Sequence, residues 1–242
     1  MNHHIIKSLG AVVLLSTGLY AITGKHSTIA TSGAGGDNGE ICVYCHTPHG
    51  ANADFGGAPL WNKPTTSTVF KMYGATDTGV AGTTIAGTTT DIQPTDSSMA
   101  CLSCHDGVSA MNSVVNAPGS GSPRQYIGSN DNSPTPIRGA NDPTTAIGGS
   151  FSSNGLYPVP TGSHTLADDH PISIQYFENR ASLRAKNFQL TDFFGATTIN
   201  DLLRNGKVQC VSCHDPHGTG NDLYLRSSNA NGSKLCMGCH AK

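Results

Sequence analysis

Eight cysteines fall into four short units of one pattern, and this constrains the chain more than any other feature of its sequence. Each unit reads Cys-x-x-Cys-His, and no cysteine lies outside a unit. The cysteines are Cys42, Cys45, Cys101, Cys104, Cys210, Cys213, Cys236 and Cys239. The histidines that end the units are His46, His105, His214 and His240. We number the units motif 1 to motif 4 in chain order.

The order of residue types within each unit has a direct chemical explanation. Two thiols three positions apart reach the two vinyl groups of one porphyrin and form thioethers, and the histidine that follows then lies beneath the iron. A disulfide framework, zinc sites and thioredoxin-like redox pairs also use paired cysteines. None of these alternatives explains why a histidine follows every pair. The motifs therefore predict four covalently attached c-type haems.

The remaining histidines are numerous enough to complete the coordination of the irons. The chain has 11 histidines, of which His3 and His4 lie in the N-terminal leader. Four irons need four further ligands if each iron is six-coordinate. The candidates outside the motifs are His26, His49, His164, His170 and His217. We expect two histidines on every iron, and hence low-spin centres of low reduction potential, because an axial methionine would raise the potential.

Two of these candidates occur in a repeated local pattern. His49 follows His46 by three residues, and His217 follows His214 in the same way, each within Cys-His-x-Pro-His-Gly. Three residues extend only about 10 Å, and proline stiffens them, so the second histidine cannot pass around the porphyrin to its opposite face. Each is therefore expected to serve the haem of a different motif, which would bring two haems close together.

The other three candidates differ in how well their neighbours suit a metal ligand. His170 directly follows Asp168 and Asp169. A carboxylate can orient an imidazole through its second nitrogen, so we expect His170 to be a distal ligand. His26 and His164 compete for the last distal place. Both lie among glycine, serine and threonine, and these surroundings do not separate them.

The composition predicts little regular structure. Only 12% of the residues are charged and 36% are hydrophobic, whereas glycine (29) and proline (13) are frequent. A core built from side chains alone would be thin, and stacked haems would take its place. We predict a mostly irregular, loop-rich multihaem fold with a few short helices and minor β-hairpins.

Three segments carry more specific expectations. Residues 75–98 alternate threonine and glycine with valine and isoleucine, which predicts a loose hairpin. Residues 179–205 are the best helical region, in which Thr198 caps a short helix and Asp201 completes a capping box. Residues 112–165 are rich in glycine, proline, serine and asparagine and predict a long surface loop.

The N-terminal residues have the character of an export signal. The apolar run after Lys7, roughly Leu9 to Tyr20, is too short to span a bilayer comfortably and suits a signal sequence. We expect residues 1–21 to be a signal peptide, with a retained anchor helix as the alternative, and residues 22–242 to be one tetrahaem domain. No later stretch has membrane-spanning length, and the net charge of −2 implies no nucleic-acid partner.

Several stretches of the chain resemble the doubled-CXXCH family of multihaem c-type cytochromes. The matching stretches are Ile41–Gly50, Ala58–Asn62, Cys101–Gly107, Asp169–Ile172 and Cys210–Gly218. The chain is most similar to the tetrahaem outer-surface cytochromes of metal-reducing bacteria that polymerise into extracellular conducting filaments. The resemblance spans residues 24–240, except that residues 112–165 do not align with it.

The resemblance implies a continuous stack of haems in which every iron has two histidine ligands. It also implies that one distal ligand crosses from one subunit to the next, and His49 stands at that position. A Lys-His pair near the start of the mature family members matches Lys25 and His26. The resemblance thus favours His26 over His164 as the fourth distal ligand.

The function implied is long-range extracellular electron transfer by a homopolymer. Such a polymer would lie outside the cell or at the outer-membrane surface and pass electrons to other redox proteins or to metal oxides. The alternative is a monomeric periplasmic shuttle with all ligands internal. A multihaem reductase would need an iron with an open position, and the surplus of histidines argues against it. We therefore expect no catalytic residues and no enzymatic activity.

Overall fold

The computed structural model describes residues 26, 41–106, 109, 112–117, 165–167, 169–178, 180, 182–218 and 220–241. The expected signal peptide, His164 and most of the 112–165 segment lie outside these residues. The helices are α1 (Asp96–His105), α2 (Ile199–Leu202), α3 (Cys210–Cys213) and α4 (Ala230–Cys239), with 3₁₀ turns at Ile41–Tyr44 and Asp222–Tyr224. The strands are β1 (Ile174–Gln175) and β2 (Lys207–Val208). This confirms the predicted loop-rich fold with few short helices.

Each motif lies in or at the end of a helical turn, and this geometry follows from its spacing. Residues at positions i, i+3 and i+4 share one face of a helix, so both sulfurs and the imidazole project to the same side. The amide of the motif histidine donates to the carbonyl of the first cysteine in three motifs. These bonds are His46 N to Cys42 O (2.8 Å), His214 N to Cys210 O (3.0 Å) and His240 N to Cys236 O (2.9 Å). Motif 2 forms the last turn of α1.

The prediction of a short helix capped by Thr198 within residues 179–205 is confirmed. The Asp201 carboxylate accepts a hydrogen bond from the Thr198 amide at 2.8 Å, as in a capping box. Among the described residues of this range, the helical ones are Ile199–Leu202, and a turn before them passes through Gly195, where φ is +68°. This helix forms a single turn ahead of motif 3.

The longest helices, α1 and α4, were not predicted individually. Periodicity gives no signal in α1 because its buried face consists mostly of small and polar side chains. The buried residues of this helix are Ser97, Ser98, Ala100, Leu102 and Ser103. Sequence patterns find helices through a stripe of large apolar residues, which this face lacks.

The β-structure is small and joins distant segments. β1 and β2 pair antiparallel, with Ile174 opposite Val208. The hairpin expected in residues 75–98 is present as a bridge between Thr83 and Thr89, and the end of that range belongs to α1. Gly82 permits a close backbone approach there, since a Cβ on it would lie 1.8 Å from the Tyr73 carbonyl oxygen.

Buried apolar side chains form three small clusters. The buried members are Phe70, Met72, Ala75, Leu102 and Leu166 in the first, Tyr44 and Val114 in the second, and Tyr176, Ile199 and Leu203 in the third. A side-chain core of this size is thin, as the composition predicts. No helix in the described part of the chain combines the length and the apolar character needed to cross a membrane.

Candidate functional site

Three motif histidines each face a second histidine at nearly the same distance. The ring centroids are 6.2 Å apart for His46 and His217, 6.1 Å for His105 and His26, and 6.3 Å for His240 and His170. Two metal–nitrogen bonds of about 2 Å, plus about 1 Å from each nitrogen to its ring centre, give about 6 Å. These pairs therefore have the separation of two imidazoles on opposite sides of one metal ion.

Hydrogen bonds orient two of the motif histidines for coordination through Nε2. Nδ1 of His46 lies 2.9 Å from the Pro59 carbonyl oxygen. Nδ1 of His214 lies 2.8 Å from the carbonyl oxygen of Leu223. A backbone carbonyl accepts only, so each Nδ1 must carry the proton and donate it. The unprotonated Nε2 is then free to bind a metal.

His170 has the same arrangement. Its Nδ1 lies 3.0 Å from the Pro171 carbonyl oxygen. The backbone oxygen fixes the tautomer as well as a carboxylate would, so His170 also presents Nε2.

The cysteines are available for thioether formation, and burial disfavours the thiolate form of three of them. All eight are free, with no disulfide between them. Burial raises the pKa of Cys45 to about 12 and the pKa values of Cys213 and Cys239 to about 11. Zinc binds the thiolate form, which such pKa values disfavour. Among the described residues, no group of three or more His, Cys, Asp or Glu side chains is placed to hold a metal ion.

The sulfurs of consecutive motifs lie near one another. Cys104 contributes electrostatically to the raised pKa of Cys45, and Cys239 does so for Cys213. A hydrogen bond with Cys210, together with burial, raises the pKa of Cys101. The four motifs thus form one connected array in which motif 1 adjoins motif 2, motif 2 adjoins motif 3 and motif 3 adjoins motif 4.

His26 lies in a partly buried position between motif 2 and an aromatic side chain. Its ring stacks on Tyr224 with centroids 4.5 Å apart, and its amide donates to the Tyr224 hydroxyl. Burial lowers the pKa of His26 to about 4, with smaller contributions from His105 and His217. The imidazole is therefore neutral near pH 7, which is the form that binds metals.

Among the described residues, the fourth motif histidine, His214, has no partner of this kind. No described aromatic or imidazole ring pairs with His214, and none pairs with His49. Both residues are exposed. The backbone of His49 is fixed, because its carbonyl oxygen accepts hydrogen bonds from Thr47 Oγ1 at 2.9 Å and from Asn116 Nδ2 at 2.6 Å. Within the described ranges, one motif histidine and one candidate distal histidine thus remain unmatched.

Comparison with known families connects this geometry to a cofactor. Residues 203–242, which contain motifs 3 and 4, match the family described as the doubled CXXCH motif. The match supports a multihaem c-type cytochrome. Its motifs indicate covalently bound haem c, for which the paired imidazoles described above are suitable iron ligands and the free cysteines are suitable points of thioether attachment. A comparison with curated proteins finds no match to the chain.

Two residues beside motif 1 contribute to the haem-binding region without having been assigned a role from the sequence. The Trp61 ring packs edge-on against His46, with centroids 5.7 Å apart, and its Nε1 donates to Ser103 Oγ in motif 2 at 3.0 Å. Asn62 is fully buried and its Nδ2 donates to the Val43 carbonyl oxygen at 2.8 Å. In the sequence, only the resemblance of the stretch Ala58–Asn62 to the doubled-CXXCH family draws attention to these two residues.

Proposed function

We propose that this protein carries electrons through four c-type haems, each with two histidine ligands, and that it does not transform a substrate. The observation that carries the proposal is the set of three histidine pairs with centroids 6.1 to 6.3 Å apart. Haem iron with two imidazole ligands accepts and returns one electron and leaves no coordination position for a substrate. The residues of this chain hold the haems, fix the imidazole tautomers and keep the motifs adjacent.

The pairing of His46 with His217 supports contact between different haems. His217 lies three residues after His214, which ends motif 3, yet its ring faces His46 of motif 1. The short segment between His214 and His217 therefore links the haem sites of motifs 3 and 1. We therefore expect electrons to pass between the haems at these two sites.

We further propose that copies of the chain join head to tail, with His49 of one copy completing the haem site of His214 in the next. The two histidines are complementary, because among the described residues His49 faces no motif histidine and His214 faces no second histidine. The contact surfaces differ between the two copies, so the interface is heterologous and generates an open filament unless its rotation closes a ring.

The surroundings of both histidines are compatible with such an interface. His49 lies on an exposed turn that ends at Gly50, where φ is +63°. His214 lies beside Leu223, whose side chain is 52% exposed. Burial of this apolar side chain at an interface would favour association. An extracellular or outer-surface location, with redox proteins or metal oxides as electron acceptors, completes the proposal and rests on the resemblance alone.

The His49→Ala variant tests the assembly. We expect it to bind four haems, measured as haem per protein after alkaline pyridine treatment, but to form no filaments in negative-stain electron microscopy. The matched control is His170→Ala, which removes a distal ligand of a haem site completed within one chain and should still assemble. Normal filaments of His49→Ala would refute the trans ligand.

Mixing gives a second measure of the same interface. A His49→Ala subunit can receive His49 of a neighbour at its own His214 but cannot supply one. When a small fraction of His49→Ala subunits is mixed with wild-type subunits, the filaments should therefore be shorter, and they should shorten further as that fraction rises. Filament lengths that do not depend on the added variant would contradict head-to-tail assembly.

A further inference from the structure

The carboxylate of Asp215 lies next to the ligand that motif 3 supplies to motif 1. Its Oδ1 accepts a hydrogen bond from the His217 amide at 3.0 Å and lies 3.5 Å from Nδ1 of the same histidine. The first contact is an Asx turn, which fixes the backbone of the ligand. The second is longer than an ordinary N–H···O hydrogen bond but close enough for a direct interaction of charge.

A buried arginine holds this carboxylate in place. NH1 of Arg226 lies 2.9 Å from Asp215 Oδ2, and the side chains are only 6% and 15% exposed. Arg226 is fixed in turn by its donation from Nε to the Val211 carbonyl oxygen at 2.6 Å, within motif 3. Gly195 leaves room for the pair, since a Cβ on it would lie 2.9 Å from Arg226 NH1.

This arrangement distinguishes His217 from the other histidines whose Nδ1 contacts are described. Nδ1 of His46, His170 and His214 faces a neutral backbone carbonyl. In motif 1, the position that corresponds to Asp215 is Thr47, which donates to the His49 carbonyl oxygen rather than contacting an imidazole. The carboxylate is therefore not required by the turn that the two motifs share.

We propose that Asp215, held by Arg226, is a positioning residue for His217 and lowers the reduction potential of the haem attached at motif 1. A carboxylate beside Nδ1 increases the basicity of the imidazole and so stabilises oxidised iron more than reduced iron. The inference rests on the proposed axial ligation by His217 and does not depend on filament assembly.

The test is Asp215→Asn, with the haem-loaded protein titrated by spectroelectrochemistry. Asparagine keeps an oxygen for the His217 amide but removes the charge. We expect one of the four potentials to rise while the high-spin fraction of the haems stays equal to that of the wild type in the same assembly state. Asp215→Thr, which gives motif 3 the residue found in motif 1, should shift the same potential in the same direction.

A matched control separates this effect from a general loss of negative charge. Asp91 also forms an ion pair, with Lys207 at 2.6 Å, and has no histidine among its partners in the structure. Asp91→Asn should leave the four potentials where they are. Unchanged potentials in Asp215→Asn, or an equal shift in Asp91→Asn, would overturn the proposal.

Two further variants keep the test decisive. In Asp215→Asn, Arg226 loses the carboxylate with which it pairs. It then becomes a buried unpaired charge, which can prevent folding. The double variant Asp215→Asn/Arg226→Gln removes both charges and should still show the raised potential. In His217→Ala, one further haem should become high-spin. A high-spin fraction equal to that of the wild type would contradict the ligation itself, and so the proposed function, separately from the role of Asp215.

Discussion

At the scale of single residues, the sequence identifies candidate haem ligands but not how they pair. The spacing of each motif selects His46 and His214 as proximal residues, and the reach limit assigns His217 to another haem site. Which site it reaches depends on contacts between segments far apart in the chain, and no local pattern contains that information. The structure places His217 opposite His46, and the haem ligation that this implies stays a prediction.

The role of Asn62 is another property that only the folded chain reveals. Its side chain is fully buried and joins motif 1 to residues 112–117. Nδ2 donates to the Asn116 carbonyl oxygen at 3.0 Å, and Oδ1 accepts from the Asn116 amide at 2.8 Å. An asparagine in a loop-rich sequence gives no sign of such burial, because asparagine is mostly exposed in proteins.

We predict that Asn62→Ala lowers the free energy of unfolding by about 2 to 4 kcal/mol, because it leaves partly buried backbone groups of Val43 and Asn116 without these partners. The measurement is guanidinium unfolding of the haem-loaded protein. Asn187, which is exposed, provides the control, and Asn187→Ala should change stability by less than about 0.5 kcal/mol. Equal effects of the two substitutions would show that the Asn62 network does not stabilise the fold.

At the scale of elements, the sequence predicted structure correctly where a polar side chain forms a hydrogen bond with the backbone of the same turn. The cap of α2 is an example, since Thr198 and Asp201 lie within one turn of each other. The strands are different, because β1 and β2 are two residues each and pair across a long separation in the chain. Elements this short carry too few residues for a periodic pattern.

The cap of α2 should make stability depend on pH in the acid range. Hydrogen bonds from the Thr198 amide, with others from Thr197, lower the pKa of Asp201 from 3.8 to about 2. A lowered pKa stabilises the folded state above pH 3.8, and this contribution is lost as the pH falls towards 2. Wild type should therefore exceed Asp201→Asn in stability at pH 5 and lose that advantage near pH 2.

Unfolding midpoints measured from pH 5 to pH 2 would check this dependence. Asp77→Asn, in another exposed loop, is the control and should not reproduce it. A difference between wild type and Asp201→Asn that stays constant over this range would contradict the assigned role of the carboxylate.

At the scale of the whole molecule, composition predicted the size of the side-chain core. Few charges and many glycines predicted a thin core, and the described residues form three small apolar clusters instead of one large one. The proposed haems would supply the missing apolar volume between them. The connected array of motifs could not be predicted, because it depends on how α1 and α3 pack.

The proposed filament makes one haem site depend on a neighbouring copy. Three motif histidines have partners within the described part of the chain, whereas His214 has none there. The same chain should therefore have different iron coordination alone and in the polymer. Assembly would complete the electron path and the coordination in the same step.

The most direct test is the spin state of the haems in dissociated and assembled protein, measured by low-temperature EPR. We predict that dissociated subunits contain one high-spin haem in four, and that this signal disappears on assembly as His49 of the neighbour binds. Subunits whose four haems are all low-spin before assembly would contradict the account, because a ligand within the chain would then complete the site of His214.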